Sequence, residues 1–409
     1  MHVLVLSDTF HPCPRASSQR VLSFAQALSL KEHKVTIITG NRCIQMKDTL
    51  SNDFSVYDLK CPLPLLSISG VIINPLVCLL YFFMSVMIAL KEEVQVVLSS
   101  VPNGETAIAG VLLSKLFNTH FFVDMRDLYP PPSAEFPFQY VHIPSKVNKI
   151  FISLFNVLYK HSDRIVCVNT AVKETLETYG IPPKKTVVIL NGADTSIYQP
   201  SGTQERERIR TKLGLPSGKF TFVYAGSLAS LYPMTPVILG AKELSLKKEN
   251  FLFLAISHKS YGRYAQLTSK LRLQEYVRFM GPLSVAETAE ILSACDVGIV
   301  VYRGEPLYKG VYGTKVFSYM SCGLPVLASG PSGSVLDDLI HKHGIGLFIG
   351  RPDQKSFAEG FSYFLDNRSK VKGMGRDGRK VVEKYFDRRK LGAKLVSLVD
   401  ELCAHNKKA

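Results

Sequence analysis

The strongest constraint on this chain is a rhythm of short aliphatic and β-branched runs separated by stretches of helix length. In the first half the runs fall at 3–6, 34–39, 94–99, 120–124, 164–168 and 186–190, with helix-length stretches at 18–30, 104–116 and 170–179. A strand that is apolar at every position has no face to give to water. It belongs in a parallel sheet with helices on both sides. That predicts a doubly wound, Rossmann-like α/β domain.

The rhythm restarts at 220–224 and continues at 251–256, 277–279, 296–301, 325–328 and 345–349, with helices expected at 236–247 and 285–294. Between the halves lies a stretch, 200–218, rich in charge, Gly, Ser and Pro, where a domain boundary is expected. The sequence thus predicts two Rossmann-like α/β domains in tandem, 1–200 and 201–380, with an interdomain cleft where C-terminal strand ends face a ligand. The tail, 381–409, is expected to be helical over 381–405 and to cross back to the first domain.

Composition narrows the function. The chain has 409 residues, 46% hydrophobic and 20% charged, which excludes a disordered chain, a collagen and a coiled coil. Lys and Arg number 49 against 34 Asp and Glu, a net charge of +15 that points to an anionic partner: nucleic acid, a membrane surface or phosphorylated substrates. No nucleic-acid module is recognisable, and the positive charge is spread through both halves. The eight cysteines are scattered without a C-x-x-C pair, and most sit in apolar runs such as Ile165-Val166-Cys167-Val168. They read as core residues in a reducing compartment, with neither a disulfide framework nor a zinc site. Met1-His2 leads straight into Val3-Leu4-Val5-Leu6 and Ser7-Asp8, without a basic start or a long apolar stretch, so a cytoplasmic location is expected.

One stretch stands apart. Residues 61–90 hold no Asp, Glu, Lys or Arg, and 76–90, preceded by Pro75, is nearly all large and apolar. Fifteen helical residues span about 22 Å, short of a hydrocarbon core of about 30 Å. Three readings stand: a buried helix of the first domain, an interfacial or lipid-acceptor surface favoured by the +15 charge, and a transmembrane helix.

Anions bind such folds at βα turns, where free backbone amides at a helix start face the ligand. Three turns qualify. Residues 9–20, with Ser17 and Arg20, lead into an amphipathic helix; without a G-x-G-x-x-G they give no support to a dinucleotide cofactor, and no cofactor is expected. This turn reads equally as an ordinary polar loop. Asn103, past the run at 94–99, joins Ser17 and Arg20 as a candidate substrate-binding residue. The second turn, Tyr224-Ala225-Gly226-Ser227-Leu228, opens the second domain, and Gly226 allows close backbone approach to a phosphate. The third runs Gly313-Thr314-Lys315-Val316-Phe317-Ser318-Tyr319. A lysine in the first turn of a helix opposes the helix dipole, so Lys315 reads either as a solvated side chain or as the contact of an anion held at that helix start.

The chain resembles the retaining glycosyltransferases of the GT-B fold, family GT4, especially the branch that builds bacterial surface polysaccharides such as capsule and lipopolysaccharide on a lipid carrier. Five ordered segments carry the resemblance: Leu6-Ser7-Asp8-Thr9-Phe10-His11-Pro12; Asp124-Met125-Arg126-Asp127-Leu128-Tyr129-Pro130, similar to that branch's R-D-L-W-P; Asn191-Gly192-Ala193-Asp194, similar to N-G-V-D; Phe279-Met280-Gly281-Pro282-Leu283; and Ala294-Cys295-Asp296-Val297-Gly298. The resemblance implies transfer of a sugar from a nucleotide-sugar to an acceptor hydroxyl with retention, donor in the second domain and acceptor in the first. The acceptor would be a glycan on a polyprenyl diphosphate or another carrier, met by a peripheral protein at the inner, anionic face of the membrane. No metal is implied, in keeping with the absence of D-x-D, because cations and helix starts stabilise the leaving diphosphate.

The departures bear on the site. The family's Glu-x7-Glu signature falls on Gly310 and Ser318, so both carboxylates are missing. Glu305 is an off-register substitute, and Ser318 and Tyr319 remain as ribose-side candidates. The gripping Gly-Arg and Lys are replaced by Gly226-Ser227 and Tyr232-Pro233-Met234, the G-D-G by Ser257-His258-Lys259, and a first-domain His by Ser100. Gly313-Thr314-Lys315 resembles the branch's P-S-K. The resemblance therefore assigns Lys315 the main phosphate contact, helped by Lys259, Arg303 or Lys309, with Thr314 beside it and Arg126 and Asp127 on the acceptor side. Arg126 and Asp127 read equally as a structural salt bridge or helix cap. His341-Lys342-His343 reads as a solvated helix end, not a metal site. The alternative function is a non-catalytic subunit with a degenerate donor site that scaffolds or regulates a partner transferase.

Overall fold

The computed structural model describes residues 1–10, 15–40, 54–59, 74–130, 145–216, 218–228, 233–247, 250–257 and 261–406. They form two compact units: Met1–Asn191 with Arg389–Ala409, and Gly192–Arg388.

The first unit is built on a parallel sheet of seven strands: β1 His2–Ser7, β2 Lys34–Thr39, β3 Ser55–Asp58, β4 Val96–Val101, β5 His120–Met125, β6 Arg164–Cys167 and β7 Thr186–Val188, in the order β3-β2-β1-β4-β5-β6-β7. The interior strand β1 shows why the runs are apolar throughout. Leu4 and Leu6 enter one core cluster, and Val3 and Val5 enter another on the opposite face. The second cluster is completed by Leu391, Leu395, Val396 and Val399 of the final helix, Arg388–Asn406. Strand order reverses between β1 and β4. Such a reversal opens a crevice at the C-terminal strand ends.

The second unit repeats the scheme with six parallel strands: β8 Phe220–Ala225, β9 Phe251–Ile256, β10 Val277–Met280, β11 Val297–Val301, β12 Val326–Ser329 and β13 Gly346–Phe348, in the order β10-β9-β8-β11-β12-β13. The reversal here lies between β8 and β11. Both units therefore have the doubly wound architecture that the sequence rhythm predicts.

Three local expectations change. The charged stretch at 200–218 is no bare linker: it holds the helix Thr203–Lys212, fixed within the second unit by Arg206 on Asp296 at 2.7 Å and by Arg210 on the carbonyls of Ala294, Pro216 and Lys219. The tail is not one helix beginning at 381, because Arg368–Tyr385 stops where Asp387 is buried in a hydrogen bond from Thr195 Oγ1, and Arg388–Asn406 starts anew. The edge strand β3 escaped the sequence reading, since four residues with exposed Val56 and Tyr57 carry little pattern.

The apolar stretch forms the helix Pro75–Lys91, capped by the Asn74 side chain on the amides of Leu76 and Val77. It buries one stripe, Val77, Tyr81, Ser85 and Ile88, with Tyr81 Oη donating to Ser7 O at 2.8 Å. Leu76, Leu79, Phe83, Met87 and Leu90 face outward. A fully buried helix is thus overturned. No helix of the described residues is long and apolar enough to cross a membrane. Burial pushes the Cys78 thiol up to about 11 and those of Cys167 and Cys295 up to about 12, so none of these is poised as a thiolate.

Candidate functional site

At the strand-order reversal of the second unit, the C-terminal end of β8 runs into Gly226-Ser227 and the end of β11 into Tyr302. The helix Thr314–Ser321 starts beside them, and its N-cap, Gly313, offers no side chain to its first amides. Gly313 has φ +76°, and a Cβ there would collide with Tyr302 Oη, so both backbone and space favour glycine.

Lys315, half-buried, reaches back over this junction. Its Nζ donates to Tyr224 Oη at 3.3 Å and lies 4.6 Å from the Tyr224 ring centre and 5.8 Å from that of Tyr302. Tyr224 Oη in turn donates to Ser227 O at 2.6 Å. A Cβ on Gly226 would stand 3.2 Å from Lys315 Cε and 3.5 Å from Nζ, so the bare glycine is what lets the lysine lie across the strand end. Burial drags the ammonium down from 10.5 to about 7, so at neutral pH about half the molecules carry the charge. A cation held by aromatic faces beside uncapped helix amides is chemically suited to a phosphate. Thr314, the first residue of the helix, is half-buried beside it.

The remaining candidates of this unit disperse. Tyr319 is fully buried, and its hydroxyl accepts from Ala225 N at 2.8 Å and donates to Ile299 O at 3.2 Å, pinning β8 to β11. It cannot touch a substrate, and that expectation is corrected. Ser318 is half-buried and hydrogen-bonded with the buried Tyr198 hydroxyl. Glu305 is exposed and sits 3.8 Å from Arg303, an open ion pair in the loop before the helix. Lys309 is exposed and Ser257 buried, while Lys259 lies outside the described residues.

In the first unit most sequence candidates prove architectural. Arg20 is 2% exposed: Nε donates to Asp124 at 2.8 Å, Nη1 to the Ile189 carbonyl at 2.8 Å, and the guanidinium covers Phe24. A substrate cannot reach it, so the helix starting at Ala16 turns this residue into the core, not toward the strand ends. Ser100 is also buried and donates to Asp124. Asn103 is buried as N-cap of the helix Gly104–Phe117, accepting from Glu105 N at 3.1 Å; its assignment to substrate is corrected to a cap. Ser17 is half-buried and shares a 2.9 Å hydrogen bond with Thr9 Oγ1.

Arg126 and Asp127 follow β5. Arg126 Nη2 donates to Asp8 at 2.8 Å and Nε to Val101 O at 3.2 Å, tying together the ends of β1, β4 and β5 at the strand-order reversal. Asp127 is exposed, yet crowding by surrounding protein pushes its carboxyl up to about 6 against the pull of Arg126. Solvent reaches the group, so screening leaves little stability in that shift. Asp8, Tyr224 and Tyr302 are the site residues that sequence reasoning missed. Asp8 lies inside the opening motif, Tyr224 ends one strand run and Tyr302 follows another, but only the fold gives them partners.

Residues 205–381 match the family model described as glycosyl transferases group 1, and residues 17–197 match the one described as glycosyltransferase family 4. The chain belongs to the group 1 and family 4 glycosyltransferases.

A D-inositol 3-phosphate glycosyltransferase of Corynebacterium aurimucosum is similar to this chain, 26% identical over 220 residues, or 52% of this chain and 51% of that protein. The chain spans about half the length of the curated relatives it matches. Solved structures share the fold across nearly the whole chain. A glycosyltransferase of Rickettsia africae superposes with a TM-score of 0.74 at 18% identity, covering 98% of each chain. Anabaena HepE in complex with UDP and glucose superposes with a TM-score of 0.71 at 14% identity, covering 98% of this chain and 100% of that one. At such identities the likeness establishes the GT-B architecture of two Rossmann-like units. Among the described residues there is no cluster of three or more His, Cys, Asp or Glu able to hold a metal ion.

Proposed function

We propose that the chain is a retaining glycosyltransferase that moves a sugar from a nucleotide-sugar to a lipid-linked glycan acceptor in surface polysaccharide synthesis, with Lys315 as the diphosphate contact. The observation that carries the reading is the placement of Lys315: at the strand-order reversal of the second unit, held by Tyr224 and Tyr302 over the bare backbone of Gly226. The UDP and glucose bound by Anabaena HepE, on the same fold, support a nucleotide-sugar as donor.

In the reaction the bond between the anomeric carbon and the diphosphate oxygen breaks, the acceptor oxygen bonds to that carbon on the same face, and the acceptor proton passes to the departing phosphate. Lys315, in its ammonium form, neutralises charge that develops on the leaving group. Asp127, with its raised carboxyl, and Arg126 belong to the acceptor side. Arg126 acts there through Asp8 as a positioning residue.

Titration calorimetry with UDP and with GDP tests the donor site, in the wild type and in Lys315→Ala. Binding of one nucleotide, lost in the variant, is the expected result, and it names the base. The second reading, a scaffold with a degenerate donor site, draws support from Gly310 and Ser318, which stand where the two carboxylates are expected, and from Glu305, the off-register substitute, which pairs with Arg303. It predicts that neither nucleotide binds at millimolar concentration.

A further inference from the structure

Three helices of the first unit, Pro75–Lys91, Gly104–Phe117 and Ser145–Lys160, feed one core cluster through Tyr81, Leu113 and Phe155. The residues on their opposite faces are apolar as well. Phe83 is 60% exposed and Leu90 69% on the first helix, Leu116 61% on the second, Ile150 59% and Leu154 58% on the third. On the third helix the outward positions recur at 147, 150, 154 and 157, a single stripe down one side. Solvent-facing stripes of large apolar residues on adjacent helices mark an interaction surface.

Charge says what kind. The same helices carry five lysines, Lys91, Lys115, Lys146, Lys149 and Lys160, all exposed, and their one acidic residue, Glu105, is buried. An apolar stripe flanked by lysines, on helices that themselves expose no carboxylate, matches the boundary between acyl chains and anionic headgroups. No helix of the described residues can span a bilayer, so such a surface lies on the membrane and not through it.

We infer that this three-helix face docks the protein on an anionic phospholipid bilayer, with Phe83, Leu90, Ile150 and Leu154 entering the headgroup layer and the lysines meeting lipid phosphates. The inference gives the proposed lipid-linked acceptor its meeting place and rests on that reading for its purpose only.

Flotation of the full chain with vesicles rich in phosphatidylglycerol, against vesicles of phosphatidylcholine alone, tests it. The expected result is binding to the anionic vesicles and at least about tenfold weaker binding to the neutral ones. Lys146→Gln with Lys149→Gln is expected to weaken binding about thirtyfold, and Ile150→Gln with Leu154→Gln to remove it. Titration of the same variants with UDP reads the donor site separately, so loss of nucleotide binding strikes the transferase reading and leaves the docking result standing. Circular dichroism confirms that the variants are folded. Equal binding to both vesicles, no binding to either, or unaltered binding by the folded variants overturns the inference. So does a stable dimer in solution that Ile150→Gln with Leu154→Gln dissolves without vesicle binding by the wild type, since the face then belongs to a second copy.

Discussion

If Lys315 contacts the donor diphosphate, nucleotide affinity must follow its protonation. Burial lowers its ammonium from 10.5 to about 7 in the free protein. A bound diphosphate favours the charged form, so binding pulls that value back up and takes a proton from solution. Affinity therefore falls as pH rises above 7. The charged fraction is about a quarter at pH 7.5 and about 3% at pH 8.5, so UDP is expected to bind about eightfold more weakly at the higher pH. A nucleotide phosphate with its last pKa near 6 is fully ionised across that window and adds little slope. Calorimetry in two buffers of different ionisation enthalpy would show uptake of about one proton at pH 8.5. Lys315→Arg keeps its charge at every accessible pH, so it should bind with a flat profile. A wild-type affinity that is constant from pH 7.5 to 8.5, or a slope that survives in the arginine variant, would refute the reasoning.

Two further outcomes follow from the packing. Arg20→Met should destabilise the first unit by about 3–5 kcal/mol, because it strands the buried Asp124 carboxylate, whereas Arg20→Met with Asp124→Asn should recover part of that loss; urea unfolding of each variant measures both. Tyr319→Phe leaves the Ala225 amide without its acceptor and should cost about 1–3 kcal/mol while UDP affinity measured by calorimetry stays at the wild-type value, and a large loss of affinity would return Tyr319 to the donor site.

The site was only partly legible in advance. Arg20, Ser17 and Asn103 drew attention because polar residues after a strand run suggest a binding loop. Arg20 instead finds Asp124, 104 residues away, and Asn103 closes a helix start. Lys315 was marked by an argument of helix electrostatics, a lysine placed where a cation is unfavourable, and that local argument survives folding because the helix begins where the motif says. Its aromatic surroundings were invisible, since Tyr224 is 91 residues from it in the chain and looks like one more buried strand residue.

What the sequence determined by itself is the architecture. Strands apolar at every position can be satisfied only by burial on two faces, so two rounds of strand and helix dictate two doubly wound sheets whatever the details of packing. The tertiary structure alone decided which polar groups are free for chemistry. Whether an arginine meets solvent or a buried carboxylate depends on residues distant in sequence, and the same holds for whether an apolar helix such as Pro75–Lys91 hides one stripe or all of them. Periodicity records how much of a helix is apolar; only neighbouring elements set how much of it is covered.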